Sequence, residues 1–289
     1  MSYYIQSTSD GAEPNQVLGV WNVDEAIAKR VDVMDSELGQ VKAQPGKTAL
    51  ETLRDYYPGA SFEELGLEPG EYYAGMARPI LGESPGRNPD QSTEAMSRRA
   101  SANGQLHALI QQLEQICRVV HPKETNFQAY GHEIRNVLVL ACMELESQWK
   151  AILGFHEARA KNTEDYVKLC AAMKLADYAV EFPYYPWMPA RRPFQGWQHG
   201  TKDLPWYGAY NSVKHNRDSH FSQASLDNAF EALTGFFIML CAQYGWDFAL
   251  KGDSASRAFF CLKAFPQWSL REYYLPPYVG ALRERKYRF

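Results

Sequence analysis

Ile134-Arg-Asn-Val-Leu-Val-Leu-Ala-Cys-Met-Glu-Leu145, wound as a helix, is apolar on nearly every side. A helix with only Arg135, Asn136 and Glu144 to offer to water belongs in the middle of a bundle. The stretch therefore predicts a helix from about Tyr130 to Phe155 at the centre of a helical domain. On its N-terminal side, Leu106, Leu109, Ile110, Leu113, Ile116, Cys117 and Val120 recur at three- and four-residue steps, and Pro122 ends the run. On its C-terminal side, Thr163 with Glu164 and Asp165 opens a helix expected to reach Phe182 and stop at Pro183. Ser225 caps another, to Tyr244, with Leu226, Phe230, Leu233, Phe237 and Leu240 on one side. These four helices predict a mainly α chain, a helical-bundle domain over residues 98–289.

Residues 1–97 read as an acidic N-terminal region of short helices and turns. Asp24 caps a helix to Leu38 built on Ala26, Ile27, Val31 and Met34. Thr48–Tyr57 forms a second, closed by Pro58-Gly59, and Ser61-Phe-Glu-Glu64 has the spacing of a capping box. The run Pro79, Gly82, Pro85, Gly86, Pro89 within residues 78–97 marks a linker. This region holds 7 Lys/Arg against 16 Asp/Glu, whereas residues 98–289 hold 23 against 18. Such asymmetry fits units with different partners, and equally an acidic solvated appendage.

Apolar residues at 45% and aromatics at 13% exclude a disordered chain. No apolar run is long enough to span a bilayer, and Ala232–Cys241 reads as a buried helix, so no membrane partner is expected. No signal-peptide pattern opens the chain. Cys117, Cys142, Cys170, Cys241 and Cys261 are odd in number and form no Cys-x-x-Cys pair, as expected of free thiols in a cytoplasmic protein. His199 and His156 are isolated, so no metal or cofactor is expected.

Two stretches carry the polar chemistry. Residues 182–210 hold nine aromatics and five prolines in 29 residues. That much ring area predicts an ordered strap with Trp187, Trp197 and Trp206 buried. Arg191-Arg192 within it serves either to pack the strap or to stack on unpaired bases. Trp206-Tyr-Gly-Ala-Tyr-Asn-Ser-Val-Lys-His-Asn-Arg-Asp-Ser-His-Phe221 then gathers Asn211, Lys214, His215, Arg217, Asp218 and His220. The helix either continues, or ends near Arg217 with a turn before Ser225. Cations beside His215 favour its neutral form, which suits a general base, and the same cations suit a phosphate. Alternatively, His215 and Asn211 satisfy backbone groups at a helix junction. On the central helix, Arg135, Glu144 and Glu146 suit an internal ion-pair set.

Tyr210-Asn211-Ser-Val-Lys214-His215-Asn-Arg217, followed by a Ser-capped helix, resembles the Lys-His-bearing helix end of HEPN domains (higher eukaryotes and prokaryotes nucleotide-binding). The likeness spans about residues 100–245. It implies a four- or five-helix bundle, a homodimer with the motif at a shared cleft, and action on RNA as in toxin and phage-defence ribonucleases. Nucleolytic members place a His four to six residues beyond an Arg followed by a polar residue. Here Arg217-Asp218 meets His220 sooner, and Arg135-Asn136 is preceded by His132. The resemblance thus implies His215, Arg217 and His220 as catalytic candidates and Asn211, Lys214, Arg135 and His132 as substrate-binding candidates. The implied activity is metal-independent RNA cleavage or binding of RNA or a nucleotide. The alternative is a non-catalytic helical module for protein interaction or assembly. The basic stretch Arg283–Arg288 closes the chain.

Overall fold

Strand pairing at the N-terminus overturns the mainly α expectation. A computed structural model describes residues 1–8, 16–32, 39–82, 88–245, 254–278 and 280–289, apart from the side chains of residues 217, 254 and 255. It is 46% helical and 18% strand. Its contacts divide the chain into two units, one of residues 1–72, 79–84 and 268–284, the other of residues 73–78, 85–267 and 285–289. The acidic region expected to end at residue 97 thus shares its unit with a C-terminal stretch.

The first unit is built on a five-stranded antiparallel sheet. Strands β1 (Ser2–Thr8), β2 (Val17–Val23), β3 (Ile27–Arg30), β4 (Gln40–Lys42) and β5 (Ala60–Glu64) lie in the order β4-β3-β2-β1-β5. Alternation along the strands supplies two apolar faces. Trp21, Val23, Ala28 and Phe62 pack with Ala49 and Leu53 of helix α1 (Ala49–Tyr56), while Ile5 and Val20 pack with Leu65 and Leu275. Gln6, buried in β1, accepts a 2.9 Å hydrogen bond from the Trp21 indole.

The helix expected over Asp24–Leu38 is a hairpin as far as the described residues reach. Asp24 Oδ1 accepts from the backbone N–H groups of Ala26 and Ile27, and Asp24 N donates to Ile27 O at 3.0 Å. The side chain read as a helix cap caps a turn instead, because Ala28 pairs with both Val23 and Val41. Residues 33–38 of that expected helix lie outside the described residues. Ser61-Phe-Glu-Glu64 likewise is strand β5, pairing Phe62 with Gln6 and Glu63 with Ile5. Thr48–Tyr57 matches expectation, with a reciprocal Thr48–Glu51 capping box. A short strand β6 (Glu71–Tyr73) follows.

Most of the helix lies in the second unit. Helices α2 (Thr93–Val119), α3 (His132–Phe155), α6 (Pro205–His215) and α8 (Leu226–Tyr244) surround one core. Val137, Leu138, Ala141 and Leu145 of α3 are fully buried as expected. The most enclosed helix is α8, in which every residue from Ala232 to Cys241 is buried, whereas α3 leaves Leu140 and Met143 exposed. Phe194 and Leu145 pack over Gly235 of α8, where a Cβ would meet them at ordinary contact distances of 3.4 and 3.5 Å.

The helix expected over Thr163–Phe182 breaks into α4 (Thr163–Tyr166), α5 (Lys168–Ala172) and a 3-10 turn (Leu175–Asp177). Asn162 rather than Thr163 forms its capping box, with Asp165. Lys174 at φ 50° breaks the run, and β7 (Ala179–Glu181) pairs with β8 (Cys261–Ala264). Among the described residues no helix is long and apolar enough to cross a membrane.

Candidate functional site

The strap doubles back on β7 and then enters α6. Val180 and Arg191 exchange backbone hydrogen bonds at 3.0 and 2.8 Å, which fixes Arg191 opposite α8. Trp197 and Trp206 are buried, Phe194 stacks on Trp197 at 5.5 Å, and the Trp206 indole donates to Pro193 O at 2.9 Å. Trp187 corrects the expectation of three buried indoles. It is 52% exposed, with its N–H held by Pro122 O at 2.7 Å and its ring 5.0 Å from that of His121.

The motif is broken, not continuous. Helix α6 starts on Pro205 at its first turn and ends where Asn216 leaves helical geometry (φ −143°, ψ 76°). A four-residue helix, α7 (Arg217–His220), and a 3-10 turn (Phe221–Gln223) lead to Ser225, whose hydroxyl caps α8.

Tyr207, Tyr210 and Lys214 lie along one side of α6 at three- and four-residue steps, facing Glu146 of α3. Tyr207 OH donates to Glu146 Oε1 at 2.6 Å, and Lys150 Nζ donates to Oε2 at 3.4 Å. Lys214 Nζ donates to Tyr210 OH at 2.9 Å and sits 5.0 Å from that ring's centroid. Burial raises the Glu146 carboxyl. The Tyr207 hydroxyl, Lys214 and Lys150 outweigh that and hold it below its ordinary value. Burial and then Glu146 push both tyrosines well above the phenol range, so their hydroxyls stay protonated donors. Trp149 is buried beside this network, packed on Tyr166, Trp197 and Tyr207.

The sequence candidates fall into two places. Lys214 joins the Glu146 network, and His215 is exposed beside it with no side-chain partner among the described residues. Asn211 is half-buried on α6. His132 lies at the start of α3, its ring 5.0 Å from Phe221, the residue after His220. His220 Nδ1 meets Gln223 Nε2 at 3.2 Å. Arg135 reaches only Asn136, at 3.4 Å, and its Nε has no partner among the described residues. The Arg217 side chain lies outside the described residues. Glu146 pairs with Lys150 and Tyr207, not with the expected partner Arg135.

No protein-family model matches the chain, and no curated protein or solved structure matches it. Among the described residues no group of three or more His, Cys, Asp or Glu side chains is placed to hold a metal ion.

A second constellation went unread in the sequence. Arg191, 7% exposed, donates from Nη1 to Glu231 and pairs through Nη2 with Asp227, each at 2.7 Å. Its guanidinium carbon lies 5.0 Å from the Phe127 ring centroid and 5.7 Å from that of Phe230. Burial pushes the Glu231 carboxyl above its ordinary value, and Arg191 only partly counters it. The signal was present: Asp227 and Glu231 are acids four residues apart on an otherwise uncharged helix, which need a cation. What the sequence could not supply was the fold-back that brings Arg191 there.

Proposed function

We propose that the second unit binds RNA or a nucleotide through the α3–α6 face, in a reducing, cytoplasmic setting suited to free thiols. The carrying observation is the Lys214–Tyr210 and Lys150–Glu146–Tyr207 network. Two ammonium groups flank a single carboxylate, so this network carries a surplus positive charge. The tyrosine hydroxyl orients Lys214 in advance, which lowers the ordering cost of meeting a phosphate. The likeness of the motif to the Lys-His helix end of HEPN domains supports the same reading.

In the nuclease form of this proposal, His215 takes the proton of a ribose 2′-hydroxyl. Lys214 and Arg217 stabilise the phosphorane, His220 serves the leaving oxygen, and Arg135 and His132 contact the flanking backbone. Its test is a cleavage assay beside a binding titration in salt. Wild-type protein binds single-stranded RNA with a negative salt slope. His215→Ala retains binding and loses cleavage, and Lys150→Ala and Lys214→Ala each reduce the slope by about 1. Wild-type protein that binds neither RNA nor nucleotides at low salt ends this reading.

A second reading, self-association, rests on Leu140 and Met143, which are 42% and 53% exposed on α3. In it the chain is a homodimer that buries this face. Light scattering at micromolar concentration checks it: a dimer dissociated by Leu140→Glu supports assembly, and a monomeric wild type removes it.

A further inference from the structure

Beside the strap, away from the lysines of the α3–α6 face, is an open cleft of about 870 Å³. That is within the ordinary range for a small-molecule site. Its walls are the strap, the segment around His121–Phe127, and the first turns of α8. Three features set its chemistry.

The first is a flat aromatic wall. Trp187 is held by its N–H to Pro122 O and packed on His121, yet half its surface is open. A pinned, exposed indole offers a stacking face at little entropic cost.

The second is an acceptor floor. Arg191 takes one oxygen each from Asp227 and Glu231. Among the described residues the buried Arg191 Nε has no hydrogen-bond partner. One guanidinium shared by two carboxylates leaves the floor short of positive charge and rich in acceptors, which calls for a ligand with N–H donors.

The third is a basic rim. Lys123 and Arg192 are exposed at the cleft, with Glu124 as the opposing charge there. A rim of that sign suits an anionic tail.

A planar ring, adjacent N–H donors and an anionic tail together describe one nucleobase class. Guanine alone presents two neighbouring donors, N1–H and N2–H, on its pairing edge. Adenine and cytosine set an acceptor beside the amino group, and uracil sets carbonyls on both sides of its N–H. We infer that this cleft is a guanine-nucleotide site, in which Trp187 stacks the base, Asp227 receives the N1–H and N2–H pair, and Lys123 and Arg192 hold the phosphate. Arg191 is a positioning residue, holding both carboxylates in place. The shared chemistry is a guanine base with a phosphate, which a free nucleotide and an RNA strand both present.

The test is calorimetric titration of the full chain with GMP, guanosine, AMP and a uridine oligomer containing one guanine. GMP binds at least about tenfold tighter than AMP, the scale of one bidentate base contact. Guanosine binds more weakly than GMP, and Lys123→Ala with Arg192→Ala erases that difference. Asp227→Asn removes the preference over AMP. Because Asp227 also pairs with Arg191, Trp187→Leu provides a variant at a half-exposed position, and it weakens GMP while retaining a cooperative thermal unfolding transition. Tighter binding of the oligomer assigns an RNA carrier, and tighter binding of GMP a free one. Lys214→Ala leaves GMP binding unchanged, so failure of the α3–α6 proposal is told apart from failure of this one. Equal affinity for GMP and AMP, no binding of any of the four ligands, or undiminished GMP binding in Trp187→Leu overturns it.

Discussion

Arg191 and Lys214 are both cations among aromatic rings, yet the fold treats them in opposite ways. Arg191 is buried between Phe127 and Phe230 and shared by two carboxylates. Lys214 is exposed, oriented by one phenol, with its carboxylate a neighbour and not a direct partner. Removing a buried charge strands its partners in low dielectric, while an exposed one is readily replaced by water. The cleft should therefore show its polar groups in stability measurements, and the α3–α6 face in binding measurements.

The largest effect is expected from Arg191→Ala, which leaves Asp227 and Glu231 facing each other without a cation. It should cost about 3–5 kcal/mol in urea unfolding. A cost near that of an exposed pair would erase the contrast. Tyr207→Phe removes a donor from Glu146 while keeping the ring packed, and should cost about 1–3 kcal/mol in the same measurement.

The two carboxylates should also divide the pH profile of stability. Glu231 holds its proton more tightly folded than unfolded. Its contribution is complete below the ordinary carboxylate value of about 4.3 and is lost as pH rises through the raised one. Glu146 is held lower in the folded state, so its contribution is present above about 4.3 and lost as pH falls through the lowered value. Thermal melts of Glu231→Gln should flatten the profile on the alkaline side of that point, and those of Glu146→Gln on the acid side. The reverse pairing would exchange the environments assigned to the two sites.

The smallest effects belong to the motif. Lys214→Ala should cost less than about 1 kcal/mol, and His215→Ala should stay within about 0.5 kcal/mol of wild type. A larger loss for His215→Ala would identify it as a structural cap and withdraw it from the binding face.

Most of what was read correctly depended on neighbours in sequence. The helix over Thr48–Tyr57, Ser225 before its apolar run, and the residues of α3 that turn inward are set by propensity, capping and helical period. The misread elements share another property. Asp24 before Ala26-Ile27 and Ser61 before Glu64 have local chemistry that serves a helix cap or a turn and strand equally. Only pairing with residues distant in the chain chose between them, as when Phe62 meets Gln6.

The same division runs through the candidate sites. Lys214 and His215 stood out because the motif concentrates them on one short segment, and the break after His215 was one of two readings available from Ser225. Glu146 with Lys150 four residues later is a helical pair visible in one dimension, but its Tyr207 partner comes from a separate helix. The Arg191–Asp227–Glu231 triplet joins residues 36 and 40 apart through the strap's return onto β7.

The sequence by itself determined that α2, α3 and α8 are helices, that Ser225 caps the last of them, and which residues carry ionisable chemistry. These follow from interactions spanning a few residues. Tertiary structure alone decided that the N-terminus is a sheet, that Trp187 faces water while Trp197 and Trp206 do not, and that Arg191 is spent on two acids of α8. Each of these depends on closing a long loop against its entropy, and what repays that closure is burial and pairing with groups that the local sequence does not name.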